Sequence, residues 1–113
     1  MKDQRLVLIH IKESIEKIQQ YTVDGESLFL NDPKTQDAVI RNFEIIGEAV
    51  KRLSEETRRI VSEIPWRQFA GLRDVLIHQY DGIHLSEVWL MVENDLPMLK
   101  EAVKTLLESH NIK

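Results

Sequence analysis

An arginine, an aspartate, a histidine and a tyrosine, which can together bind a phosphate and transfer protons, lie within eight residues. The stretch is Arg73-Asp74-Val75-Leu76-Ile77-His78-Gln79-Tyr80. An imidazole, whose unperturbed pKa is about 6.5, can take or give a proton near neutral pH. A guanidinium can hold a phosphate and stabilise the charge that develops on it. In principle, Arg73 and His78 therefore suffice for metal-independent RNA cleavage, in which a 2′-hydroxyl is activated and attacks the adjacent phosphate.

The Arg-to-His spacing alone is a weak signal, because Arg5 and His10 repeat it in a segment with an apolar interior. We interpret that first pair as ordinary flank residues of a helix. Asp74 after the arginine and Tyr80 after the histidine distinguish the second occurrence. From chemistry alone, Asp74 could still be a solvated residue near a helix start. Tyr80 could likewise be a half-buried aromatic with its hydroxyl at the surface.

Helical geometry limits how these residues can meet. Arg73 and His78 differ by about 140° around a regular helix, whereas Arg73 and Tyr80 lie nearly on one face. His78 joins Arg73 only if the helix unwinds near Gly82 or if a second subunit supplies the other half of the site. Surplus apolar residues on the first and last helices favour a dimer, although a larger core would explain them equally well.

The elements that must position the site are helices, because apolar residues recur at three- and four-residue steps along the chain. No alternation typical of strands appears. The pattern predicts an all-α bundle of four main helices plus short ones, in one domain over residues 1–113. The predicted helices cover 3–21, 33–53, 55–62, 66–80 and 86–109, with a single turn at 27–30.

Caps and breaks follow from residue type. Asp32 with Pro33, Ser54 and Ser86 are predicted to begin helices. Pro97 should kink the last helix near Glu93, because its ring cannot donate to the carbonyl one turn before.

Composition excludes several classes of protein. The 113 residues are 42% hydrophobic and 30% charged, which is typical of a globular protein rather than a disordered chain. The formal net charge of −4 argues against a strongly basic nucleic-acid binder, and the lack of cysteine excludes disulfides and thiolate metal sites. No apolar run reaches the roughly 18 residues of a membrane span, so no membrane association and a cytoplasmic location are expected.

At these residues the chain resembles the HepT-like toxins of the HEPN superfamily, small all-α ribonucleases. Arg73, Asp74, His78 and Tyr80 meet the family pattern of Arg, a polar residue, three further residues, His, one residue and Tyr. Many members carry Asn where this chain has Asp74. The resemblance extends over nearly the whole chain and includes the segments 35–42, 44–49, 64–67 and 92–97.

The resemblance implies a homodimer whose motifs face each other across a cleft, with Arg73 and His78 catalytic and Asp74 supporting them. It implies an endoribonuclease toxin of a type VII toxin–antitoxin system, acting on RNA (mRNA or tRNA) without a metal or other cofactor. It also implies a cognate partner, a minimal nucleotidyltransferase antitoxin that adds AMP to Tyr80. Negative charge and bulk there would obstruct RNA at the cleft.

A second hypothesis is a helical subunit without catalysis of its own, which would shape the substrate site of a partner nucleotidyltransferase. The acidic net charge and the lack of an obvious basic stripe motivate it.

Overall fold

The apolar stripes form helices in the computed structural model of the protein. It describes residues 3–78 and 84–109, with Arg73, Ile77 and His78 described by their backbone alone. The described residues contain no strand, which confirms the predicted all-α fold. In chain order the helices are α1 (Gln4–Tyr21), α2 (Glu26–Asn31), α3 (Pro33–Lys51), α4 (Glu55–Ile60), α5 (Trp66–Ala70), α6 (Leu72–His78), α7 (Leu85–Leu90) and α8 (Leu96–Glu108).

Two of the three predicted caps are confirmed. The Asp32 carboxylate accepts hydrogen bonds from the Lys34 amide at 3.3 Å and the Thr35 hydroxyl at 2.7 Å, so Pro33 begins α3 where its missing N–H costs nothing. The Ser54 hydroxyl accepts from the Thr57 amide at 3.1 Å and begins α4. The last segment differs, because its cap residue is His84, two residues before Ser86, and helix α7 begins at Leu85.

Helices α1 and α3 pack antiparallel, and one side chain fixes their register. Gln4, at the start of α1, donates to the Arg52 carbonyl at 3.2 Å and accepts from the Ser54 amide at 2.8 Å, just beyond the end of α3. Between these helices and α8 lies the core, whose stripes match those of the sequence. Its completely buried side chains include Leu8, Ile11, Ile15, Ile18, Phe29, Val39, Phe43, Ile46, Val50, Leu96, Leu99 and Leu106.

The predicted helix over 66–80 is wrong in one respect, because it is divided at Gly71 into α5 and α6. Glycine has low helix propensity, and here its N–H closes the end of α5 on the Arg67 carbonyl at 3.1 Å. In α6, Val75 is 50% exposed, while Leu76 is buried.

The predicted disturbance of the last helix takes the form of a π-helical segment, Met91–Asp95, between α7 and α8. Pro97 stands in the first turn of α8. Because proline donates no hydrogen bond, the Glu93 carbonyl one turn before Pro97 lacks its usual donor, and the wider turn of a π-helix accommodates the mismatch.

Candidate active site on helix α6

Helix α6 is positioned by a chain of hydrogen bonds that begins at α3. The Arg58 guanidinium donates to the Val50 carbonyl at 2.8 Å, which ties α4 to the last turn of α3. The buried Trp66 indole donates to the Arg58 and Val61 carbonyls at 3.1 and 3.0 Å. These bonds fix the start of α5, and α6 follows it after the single residue Gly71.

Helix α6 packs against α3, and among its described side chains Leu76 is buried, with an exposed fraction of 6%. The Val75 amide donates to the Gly71 carbonyl at 3.1 Å, so regular helix begins directly after the break. Asp74 lies in the first turn of α6 and is exposed. Its carboxylate and the neighbouring Val75 side chain thus form part of the outer surface of the protein.

The structure places the backbone of Arg73 and of His78 in α6, with no break between them. A regular helix separates these positions by about 140° in angle and about 7.5 Å along the axis. These two backbone positions therefore lie on different sides of a single copy of α6. The side chains of both residues lie outside the described part of the chain. Tyr80 and Gly82, with the predicted unwinding there, lie outside it as well.

Arg5 lies exposed on the flank of α1, as the sequence predicted, and it also has a structural role. Its guanidinium donates to the Leu107 carbonyl at 2.9 Å and so caps the last turn of α8 from α1. His10 is exposed on the flank of α1. The repeated spacing therefore does not form a second reactive pair.

Trp66 and Trp89 are core residues rather than exposed platforms for bases. Both are buried, and the Trp89 ring lies 5.5 Å from the Phe29 ring, centre to centre. In residues 3–78 and 84–109, no group of three His, Asp or Glu side chains could hold a metal ion. None of the helices described is both long and apolar enough to cross a membrane.

A groove that the sequence did not indicate runs between α1 and α3. Its volume is about 370 Å³, and it is called here the α1–α3 groove. The only sequence signal for it is a polar residue at a core position, because Ser14 interrupts the stripe of Ile11, Ile15 and Ile18. Its lining residues are His10, Glu13, Ser14, Lys17, Arg41, Glu44, Ile45, Glu48, Ala49 and Arg52.

Comparison with known proteins relates the chain to ribonucleases. The family described as Ribonuclease HepT-like matches residues 11–106. A Methanocaldococcus jannaschii protein named "Gamma-glutamylcyclotransferase and putative RNase" is 47% identical over 108 residues, which are 95% of this chain and 49% of that protein. The chain thus spans about half the length of that relative.

Two further relatives match along most of their own length. "Probable ribonuclease HepT" of Thermococcus cleftensis is 48% identical over 92 residues, covering 80% of this chain and 83% of the relative. A Caldanaerobacter subterraneus protein named "Putative RNase" is 40% identical over 110 residues, covering 96% and 97%. No solved structure matches the chain. The family match and these identities show that the chain belongs to the HepT-like ribonuclease family of the HEPN superfamily.

Proposed function

We propose that this protein is a metal-independent endoribonuclease, the toxin of a type VII toxin–antitoxin system, and that it acts as a homodimer. The observation that carries the proposal is the pattern Arg73-Asp74-x3-His78-x-Tyr80, whose first three residues stand on α6. The family match and the ribonuclease names of the relatives support an RNA substrate, either mRNA or tRNA.

In the proposed reaction, the neutral imidazole of His78 removes the proton of a ribose 2′-hydroxyl. The 2′-oxygen forms a bond to the adjacent phosphorus, and the bond from phosphorus to the 5′-oxygen breaks. The Arg73 guanidinium stabilises the negative charge on the phosphoryl oxygens, and the protonated imidazole returns the proton to the leaving 5′-oxygen. The products are a 2′,3′-cyclic phosphate and a 5′-hydroxyl. Asp74 is assigned a supporting role, orienting the arginine or the histidine.

The angular separation on α6 favours a site shared by two subunits, in which Arg73 of one copy works with His78 of the other. Exposed apolar side chains support dimerisation. Val75, inside the motif, is 50% exposed. Leu6 and Ile9 on α1, Leu90 on α7 and Met98 on α8 are also exposed, whereas Val7 on α1 is buried in the core. Burying such residues against a second copy would stabilise a dimer.

The proposed regulation is the addition of AMP to Tyr80 by a cognate minimal nucleotidyltransferase antitoxin. The tyrosine is seven residues from Arg73, or nearly two helical turns, so a helix continued to Tyr80 would place both on one face. An added nucleotide would bring a negative charge close to the arginine that is to bind the phosphate of RNA. It would therefore block the substrate by charge and by volume.

Substrate chemistry tests the proposal directly. An RNA oligonucleotide that the protein cuts at one position is compared with the same oligonucleotide carrying a single 2′-deoxyribose at that position. We expect the substitution to abolish cleavage there, because the nucleophile is gone. Mass spectrometry of the products should show a 2′,3′-cyclic phosphate, and EDTA should leave the rate unchanged. Cleavage of the deoxy-substituted RNA at an undiminished rate would refute the proposed reaction.

The second candidate is a catalytically inactive subunit that supports a partner nucleotidyltransferase. Its motivation is the acidic net charge of −4. A purified dimer that cuts no RNA but raises the rate of nucleotide transfer by its partner would favour this function over the first.

A further inference from the structure

The α1–α3 groove has the size of a ligand site. Its volume of about 370 Å³ falls within the roughly 300–1,000 Å³ of small-molecule pockets in proteins. Both walls are long helices whose register is fixed by Gln4, so the groove is part of the rigid core of the fold. None of its lining residues has a role in the reaction proposed above.

Ser14 places its hydroxyl at this groove. The residue is only 5% exposed and lines the groove, and its hydroxyl makes no hydrogen bond with any residue that the structure describes. Its oxygen is not one of the fully buried polar atoms that lack a partner, so the hydroxyl is open to the groove. Ser14 therefore offers a donor and an acceptor to a polar group that enters the groove.

Cations stand at both ends of the groove. Lys17 and Arg52 make no ion pair with the described part of the chain. Arg41 is joined to Glu44 at 3.6 Å, but its side chain is 69% exposed and the pair is weak. Because α1 and α3 are antiparallel, Arg52 lies at the end where α1 begins. Arg41 and Lys17 lie together at the opposite end.

Carboxylates occupy the same groove, so it does not suit a bare polyanion. Glu13, Glu44 and Glu48 balance the formal charge of the three cations. A ribonucleotide can bond to both the cationic side chains and the carboxylates. Its phosphate takes hydrogen bonds from lysine or arginine, and its 2′-hydroxyl and base amino groups can donate to carboxylates.

We infer that the α1–α3 groove is a second nucleotide site, which binds a ribonucleoside phosphate. Arg52, or Arg41 with Lys17, binds the phosphate, and the Ser14 hydroxyl bonds to the nucleoside. This inference rests on the proposed function where the nucleotide belongs to substrate RNA bound away from the cleaved bond. A free mononucleotide would present the same chemistry.

Binding of single-stranded RNA to full-length His78→Ala protein tests this site, because that background removes cleavage. Arg52→Glu and Ser14→Ala are introduced separately, and Lys104→Glu on the outer surface of α8 is the matched charge control. We expect Arg52→Glu to weaken RNA binding about tenfold and to lower the salt slope of binding by about one. Lys104→Glu should change the affinity less than about twofold on the same scale.

Ser14→Ala separates a binding role from a structural one. We expect weaker nucleotide binding with an unchanged or raised melting temperature; a lowered melting temperature with unchanged affinity would assign the hydroxyl to folding alone. Titrations with AMP and with RNA, followed by NMR at the Ser14 and Ala49 amides, distinguish a free mononucleotide from a strand of substrate RNA as the ligand. Shifts with AMP support a free nucleotide, and shifts with RNA alone support a substrate strand.

Wild-type affinity in Arg52→Glu and Ser14→Ala, together with unshifted groove amides, would overturn the inference. That outcome is distinct from failure of the proposed function, which would appear as wild-type protein that binds RNA in the groove and does not cut it.

Discussion

Arg5 and Arg73 each precede a histidine by five residues, and their neighbours determine what they can do. Arg5 is followed by apolar residues, and its guanidinium is engaged by the Leu107 carbonyl. Arg73 is followed by the exposed carboxylate of Asp74. The sequence could separate the two occurrences because it shows these neighbours. It could not show that Arg5 caps α8, since that bond joins residues 102 positions apart.

The variant Tyr80→Phe distinguishes AMP addition at this single residue from RNA cleavage. We expect the variant to cleave RNA at close to the wild-type rate, because the phenol takes no part in the proposed proton transfers. Incubation with the partner nucleotidyltransferase and ATP should add the mass of AMP to wild-type protein and leave the variant unchanged. The measurement is intact-protein mass spectrometry with peptide mapping. AMP on another residue of the variant, with inhibition retained, would contradict the assignment of Tyr80.

The sequence predicted helices correctly where the apolar spacing and the capping residues matched the side chains that are buried in the structure. Apolar spacing, together with Asp32-Pro33 and Ser54, identified α1, α3 and α4. The break at Gly71 was missed because the apolar pattern runs through it, and only tertiary packing decides whether a glycine is tolerated in a helix. The start of α7 at Leu85 was missed because the side chain of its cap residue, His84, makes no capping hydrogen bond and so gives no local signal.

The cap of α3 gives a prediction at the element scale. Asp32→Ala removes the acceptor for Lys34 and Thr35 and should lower the free energy of unfolding by about 1 kcal/mol, or about 4 °C in melting temperature. Asp37→Ala is the matched control, because Asp37 is exposed on the same helix. Its change should stay within about 0.5 kcal/mol in thermal or urea unfolding. Equal losses in the two variants would show that the cap contributes nothing specific.

The sequence could not predict features that depend on tertiary packing or on a second chain. The α1–α3 groove depends on the antiparallel register set by Gln4, which no local pattern encodes. A shared site depends on contacts between subunits. From the sequence, only the helical angle between positions 73 and 78 favours the proposed shared site, and the continuous backbone of α6 is consistent with that angle.

Mixed dimers test the shared site at the scale of the whole molecule. Arg73→Ala and His78→Ala should each be inactive alone. In a mixed dimer, one site would combine the intact arginine of one subunit with the intact histidine of the other. After subunit exchange, half of the dimers are mixed and have one working site of two, so activity should return to about a quarter of wild type. An inactive mixture with demonstrated exchange would place both residues of a site in one chain.

RNA cleavage by His78→Ala is the central test, because His78 makes both proton transfers of the proposed reaction. The controls are His84→Ala, which changes an exposed histidine at the start of α7, and Arg5→Ala beside Arg73→Ala. We predict that His78→Ala and Arg73→Ala each lower the cleavage rate by at least about 100-fold with an unchanged circular dichroism spectrum. The control variants should remain near the wild-type rate. Undiminished cleavage by His78→Ala would contradict the account.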